Sequence, residues 1–253
     1  MFGFSTNRTG GHLARSMMLP EISTVLAQLP IDAALPEIAL AITADNVLAK
    51  PTNASREKSL RHLIQLYGLD PAFALFRVLR RLADEDPRCL PLMAMTCAFC
   101  RDEQLRASFE LIDRLRPGQL MPRALMEQQL EDAFPGRFSP AMKKSLAQNV
   151  NTTWTESGHL SGRSKKIRAI PEPRTLASTY AMFAGYLLGL RGDLLLGSVF
   201  GRLVASDPST ITAHLSSAAA RGLLRFRHGG GVMEVDFSSL LTNDELRVVH
   251  GSH

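Results

Sequence analysis

Apolar side chains fall at three- and four-residue intervals along most of this chain, the period of a helix with one buried face. Leu19, Ile22, Leu26 and Leu29 form the first such run, and Pro30 and Pro36 bracket the connection after it. Ser55 is placed to cap a helix running to Tyr67, with Arg56, Lys58, Arg61 and His62 on its polar side and Gly68 at its end. Asp70 and Pro71 start the next helix, which buries Phe73, Phe76 and Leu79 and presents Arg77, Arg80 and Arg81. Two helices across a glycine-containing turn also outline a helix-turn-helix. Residues 1–136 carry 15 basic and 16 acidic side chains, however, so nothing in their charge favours a polyanion over bundle packing.

Ser139 and Pro140 supply an N-cap and a first-turn proline for the helix that follows. Met142, Leu146, Val150 and Trp154 recur every four residues and make an apolar stripe for a core. The other side reads Lys144, Gln148, Asn151, Thr152 and Thr155, side chains that exchange hydrogen bonds without negative charge. Gly158 stops the helix, and His159 to Ile170 reads as extended with a bend at Gly162.

Beyond this point the layout is more regular. Leu176, Tyr180, Phe183 and Leu187 define one helix, Leu194 to Val204 a second, and Asp207 with Pro208 caps a third that holds Ile211, Leu215 and Ala218. After Gly222 the period changes to alternation, with Leu224 and Phe226 on one strand, Gly229 to Gly231 between, and Met233, Val235 and Phe237 on the other. Three helices and a hairpin are the order of a winged helix. Ser157-Gly158-His159-Leu160 and Arg221-Gly222-Leu223-Leu224 each end a helix at a glycine and lead into a possible hairpin. The pattern leaves open whether there are two winged-helix-like units, one, or none. The expected fold is mainly α: a helical domain over 1–136, a basic helix and extended segment over 137–174, and a C-terminal winged-helix-like domain over 175–253.

Charge changes this picture in one place. Between Arg137 and Arg174 lie Arg137, Lys143, Lys144, Arg163, Lys165, Lys166, Arg168 and Arg174 against only Glu156 and Glu172, while the whole protein carries +5. A positive field confined to one stretch marks a surface for a polyanion. The candidate contacts are Lys143, Lys144, Gln148, Asn151, Thr152 and Thr155 on the helix and Arg163, Lys165, Lys166 and Arg168 after it. Amides can pair with adenine edges, and Lys and Thr reach phosphate or guanine. The C-terminal unit has 6 basic and 6 acidic side chains, and Glu234 and Asp236 on its returning strand would repel phosphate. It reads as a surface for another protein or a second copy of the chain.

Other chemistries are poorly supported. Cys89, Cys97 and Cys100 are an odd set, and the pair spaced Cys-x-x-Cys lies in an apolar run with no second pair or nearby His for zinc. Gly229 to Gly231 lacks the following Lys-Ser/Thr of a phosphate loop, Gly197-Ser198 does not extend to a nucleophile elbow, and no lysine completes a nuclease pattern after Glu234-Val235-Asp236. Neither a cofactor nor an enzymatic activity is expected. Met1 to Gly10 lacks the apolar run of a secretory signal, and the greasy region Tyr180 to Ala205 is interrupted at Arg191, Gly192 and Asp193. A cytoplasmic protein without a membrane span is expected.

Gly10-Gly11-His12-Leu13 leading to Met17-Met18-Leu19, Asn46-Val47-Leu48 before Lys50, Leu66-Tyr67-Gly68-Leu69-Asp70, and Thr153-Trp154-Thr155 before Gly158-His159-Leu160 resemble strings in the BrxA-type proteins of bacterial BREX phage-defence systems. The resemblance implies a non-enzymatic, largely helical accessory subunit that binds double-stranded DNA beside other defence proteins. It transfers no base-contacting residue to a numbered position. An interaction scaffold within a defence complex and a winged-helix transcriptional repressor are the alternatives.

Overall fold

The computed structural model describes residues 2–5, 10–204, 207–230 and 232–251, so part of the amino terminus and Gly231 of the glycine run lie outside the described residues. It is mainly helical with two small antiparallel sheets. Helices α1 (Leu19–Gln28), α2 (Leu35–Thr43), α3 (Asn53–Tyr67), α4 (Ala74–Glu85) and α5 (Leu90–Arg101) come first. Then α6 (Glu103–Arg114), α7 (Arg123–Ala133) and α8 (Pro140–Glu156) lead into strands β1 (Leu160–Ser161) and β2 (Ile167–Arg168). Last, α9 (Thr175–Leu187), α10 (Gly192–Leu196), α11 (Val199–Leu203) and α12 (Pro208–Ala220) precede β3 (Arg225–Gly229), β4 (Val232–Asp236) and α13 (Asn243–Gly251).

Side chains at the element ends explain where the helices start, and they shift some expected boundaries. Thr52, not Ser55, is the N-cap of α3: its Oγ1 accepts the Ser55 N–H at 3.2 Å while Ser55 Oγ accepts the Thr52 N–H at 3.2 Å. Asp70 and Pro71 form a turn in which Asp70 Oδ1 accepts the Ala72 N–H at 2.9 Å, and α4 begins only at Ala74. Ser139 caps α8 through the Met142 N–H at 3.3 Å, and Asp207 caps α12 through the N–H groups of Ser209 and Thr210 at 2.8 and 3.1 Å. The segment from Leu194 to Val204 is two short helices, because Ser198 Oγ accepts the Phe200 N–H at 3.2 Å and restarts the chain there. Gly158 and Gly222 end their helices at φ of 84° and 74°, a region open to glycine.

A single apolar cluster runs from Met17 to Val249. At its centre α9 is buried from Leu176 to Leu187 and packs against α4, α5, α11 and α12. The hydroxyl of Tyr180 donates to the Leu75 carbonyl at 2.9 Å, which pairs a polar atom buried at the centre of this core. Cys89, Cys97 and Cys100 are free and buried, and burial pushes all three thiols up. Arg80, expected on the surface of α4, is buried: its Nη2 donates to the carbonyls of Leu29 (2.9 Å) and Pro30, fixing the α1–α2 connection. The greasy pair α9 and residues 192–203 is bent by 117° at its break, and among the described residues no single helix is long and apolar enough to cross a membrane.

Strand pairing gives the middle of the chain its architecture. β1 and β2 run antiparallel with Leu160 opposite Arg168 and Ser161 opposite Ile167, and Leu120 bridges Ile167 from the other side. Backbone bonds of 2.8 Å from Gly118 N–H to Arg168 O, Arg168 N–H to Gln119 O and Met121 N–H to Lys166 O hold that third segment. The chain order is therefore α6, an extended segment at Leu120, α7, α8, β1, β2, which is a winged-helix order reaching back to α6. The later elements repeat the theme as α9, the α10–α11 pair, α12 and the β3–β4 hairpin, registered from Arg225 opposite Asp236 to Gly229 opposite Val232.

Candidate nucleic-acid interface

Helix α8 is enclosed on more sides than one apolar stripe requires. It packs against α7, α6, α5, β1 and the turn Gly11–Leu13. Leu146, Val150 and Trp154 are fully buried as their spacing predicts, but Met142 is 49% exposed, because the packed face begins one turn later. What remains open is a stripe of Lys144, Ser145, Gln148 and Thr152. Thr152 Oγ1 donates to the Gln148 carbonyl at 2.9 Å, and half-buried Thr155 donates to the Asn151 carbonyl at 2.7 Å, so both hydroxyls keep only acceptor capacity for a ligand. Asn151, expected on the open face, is buried at 5% exposure, since the enclosing elements cover its flank of the helix.

The anchorage of α8 reaches far along the chain. His12 Nδ1 lies 2.9 Å from Asp102 Oδ2 and its Nε2 lies 2.8 Å from Thr153 Oγ1, while the backbone N–H groups of His12 and Met17 donate to Asp102 (3.0 Å) and Thr153 (2.9 Å). Asp102 Oδ1 also accepts the Leu105 N–H at 3.0 Å and so caps α6. A Thr, a His and an Asp in this chain of contacts have the connectivity of a nucleophilic triad. All three are sealed inside the protein, with Thr153 Oγ1 already engaged by Met17, so the arrangement is a latch between the amino-terminal turn, α6 and α8. Asn149 Nδ2 adds a bond to the His12 carbonyl at 3.0 Å. Spacing-based reading of the histidines missed this group, although Asp102 ahead of a helical run carried the signal of a cap. Trp154 completes the anchor, donating from Nε1 to Ser108 Oγ at 2.9 Å beside Phe109 and His159.

The basic candidates separate by environment. Lys144, Arg163 and Lys165 are exposed, and Gly162, at φ 88°, makes the tight bend before them because a Cβ there would collide with the Lys165 carbonyl. Lys166 is half-buried with Nζ donating to the Gly162 carbonyl at 2.8 Å, and burial lowers its pKa. Lys143 is committed to Glu131 on α7 at 2.7 Å, an ion pair across two helices that a count along the chain does not see. Arg168 is 8% exposed and is a structural residue, not a DNA contact. Strand pairing with Leu160 turns it inward, where Nε donates to the Ile112 carbonyl (3.0 Å) near the end of α6 and Nη1 donates to those of His159 (3.1 Å) and Ala169. Arg168→Ala should accordingly lower unfolding free energy by roughly 2 kcal/mol, read by urea denaturation, because it orphans buried carbonyls.

Between α8 and the β1–β2 loop lies a cleft of about 370 Å³. Gln148, Asn151 and Thr152 line it from the helix and Arg163, Ser164 and Lys166 from the loop, with Arg123 and Met121 beside them. Arg123 is held by Glu127 at 2.6 Å. The C-terminal hairpin is instead charge-balanced: Arg225 pairs with Asp236 at 3.5 Å and Arg227 lies opposite Glu234. The open residues of α12, among them Ser209, Ala213, Ser216 and Ser217, carry no charge.

No protein-family model matches the chain, and no curated protein matches it. Among solved structures it is similar to an uncharacterized protein from Magnetospirillum magneticum, with 16% sequence identity and a TM-score of 0.52, over 75% of this chain and 97% of that one. At that identity the likeness is one of fold.

Proposed function

We propose that this protein binds double-stranded DNA through α8 and the β1–β2 loop, without an enzymatic activity of its own, as a cytoplasmic accessory subunit of a BREX-like phage-defence system. The supporting observation is a juxtaposition. A winged-helix order sets the uncharged stripe of Ser145, Gln148 and Thr152, with Lys144, beside a loop carrying Arg163, Lys165 and Lys166. A stripe of that kind suits a groove, and the adjoining cations suit the phosphates along it. The defence setting rests on the resemblance of the short strings in the sequence. The rival scaffold reading draws on the neutralised C-terminal hairpin, and the repressor reading would require base preference from the same helix.

Fluorescence anisotropy with a random duplex tests the proposal. Lys144, Arg163, Lys165 and Lys166 set about four phosphate contacts, so affinity should fall about 10²-fold between roughly 50 and 200 mM salt. Absence of binding at low salt would sink both the DNA-binding and repressor readings, while a strong preference for one operator would favour the repressor.

A further inference from the structure

Asn151 presents a problem that packing does not solve. The residue is only 5% exposed, yet Oδ1 has no hydrogen-bond partner among the described residues. Leaving a buried amide unpaired is unfavourable, and an apolar side chain of similar size at that position would avoid the loss. An oxyanion cannot relieve that sealed oxygen, so the use of the side chain lies in its Nδ2 N–H group, which no described residue engages. The residue lines the cleft between α8 and the β1–β2 loop, so a ligand there is what the group can meet.

The chemistry of the walls narrows that ligand. Arg163 and Lys166 bring positive charge, Ser164 a hydroxyl, and Gln148 and Asn151 amide N–H groups, while no carboxylate and no aromatic ring lines the space. An aromatic platform would suit a stacked base and a carboxylate would suit a cation. Converging N–H and O–H donors with three cationic residues, of which Arg123 is already paired with Glu127, suit a tetrahedral oxyanion, and Arg163, which has no protein partner among the described residues, is free to meet it bidentately.

We propose that this cleft is a phosphate seat, occupied by one phosphodiester of a DNA strand lying across α8 and the wing, with Asn151 as the donor at its floor. The source of the phosphate rests on the DNA-binding reading, whereas the site itself does not. Seating one phosphate between helix and loop would fix the depth and angle at which α8 meets the duplex. Asn151 is thereby a positioning contact with no role in reading sequence.

The test uses the full chain with Asn151→Ala and Asn151→Leu, measuring duplex affinity, its salt slope and the thermal midpoint, with inorganic phosphate titrated against chloride at matched ionic strength as a second probe. Both variants should melt at or above the wild-type temperature, bind a random duplex roughly 3- to 10-fold more weakly, and keep the wild-type slope, because no charge is lost. Shifts of the Asn151 side-chain amide resonances in phosphate but not chloride should mark occupancy. Unchanged duplex affinity in both variants would overturn the seat and leave DNA binding intact, as would a large drop in melting temperature, which would make Asn151 a folding residue. Phosphate occupancy without duplex binding would keep the seat for a free phosphate compound and overturn the DNA reading.

Discussion

Acidifying this protein from about pH 7 to about pH 4 is expected to lower its stability by about 3 kcal/mol, with about 2 of that lost by pH 5. The group responsible is His159, at the junction of α8 and β1. Its ring is buried with Nδ1 2.9 Å from Ser157 Oγ and Nε2 2.8 Å from the Leu203 carbonyl, edge-on to Trp154. Burial, with the Arg168 charge adding to it, pulls its pKa down to about 3 against the opposing Leu203 bond. An unfolded histidine takes its proton near pH 6.5, so between those values the unfolded chain binds more protons and stability falls as pH falls.

Asp102 extends the loss further into acid. Burial alone would raise its carboxyl, but the His12 ring and the N–H groups of His12 and Leu105 bring it down to about 2. Its contribution is therefore present above about pH 4 and lost as pH falls toward about 2. Urea midpoints from about pH 7.5 to 3 read both windows. In His159→Gln, which keeps a donor for Leu203 but no titration, the upper window should flatten to the residue left by His62 and His214, both pulled down by burial. A wild-type midpoint that stays level from pH 7 to pH 5 would contradict the assignment.

What could be read from the sequence was local, and what could not was set by distant partners. The stripe of Leu146, Val150 and Trp154 follows from a four-residue period, and the starts at Ser139-Pro140 and Asp207-Pro208 follow from a side chain bonding its own next turn. Arg168 defied the same reading because a two-residue strand has no pattern of its own; its inward aim is set by Leu160 and by the segment around Leu120. Asn151 was misplaced because Met121 and the β1–β2 loop wall in a flank of α8 that helical spacing leaves open, and Lys143 because Glu131 answers it from another helix.

The short strings behind the family resemblance are explained by the same long-range contacts. Gly10 and Gly11 lie where a Cβ would run into Asp102 and Leu66, and Thr153 closes the latch on His12. Met18, Asn46, Ala49 and Leu69, all in or beside those strings, hold left-handed backbone, with φ between 50° and 55°. Few L-residues adopt that conformation unless the surroundings impose it. These strings therefore bear on how the fold closes around α8, and the residues proposed to touch DNA, such as Lys144, Gln148, Arg163 and Lys165, lie outside them.

Reversing Arg163 and Lys165 together to glutamate is expected to weaken duplex binding by about 10³-fold near 50 mM salt, the largest functional effect this surface should yield. Both side chains are exposed, neither has an ion-pair partner among the described residues, and both follow the bend at Gly162, so their loss leaves the packing of α8 and β2 untouched. Each neutralised contact is worth about one unit of salt slope and roughly tenfold in affinity, and the two new carboxylates add repulsion. The slope should drop by about two, and the thermal midpoint should stay within a degree or two of wild type, since surface changes of this kind alter stability by about 0.5 kcal/mol or less. The paired control is Arg225→Glu with Arg227→Glu on the C-terminal hairpin, where Asp236 and Glu234 already answer the charge. Equal losses from the two pairs would mean that net charge alone draws the duplex in. A loss confined to Arg163 and Lys165 would place the strand along the β1–β2 loop, the side of the molecule on which Lys166 and Asn151 line their cleft.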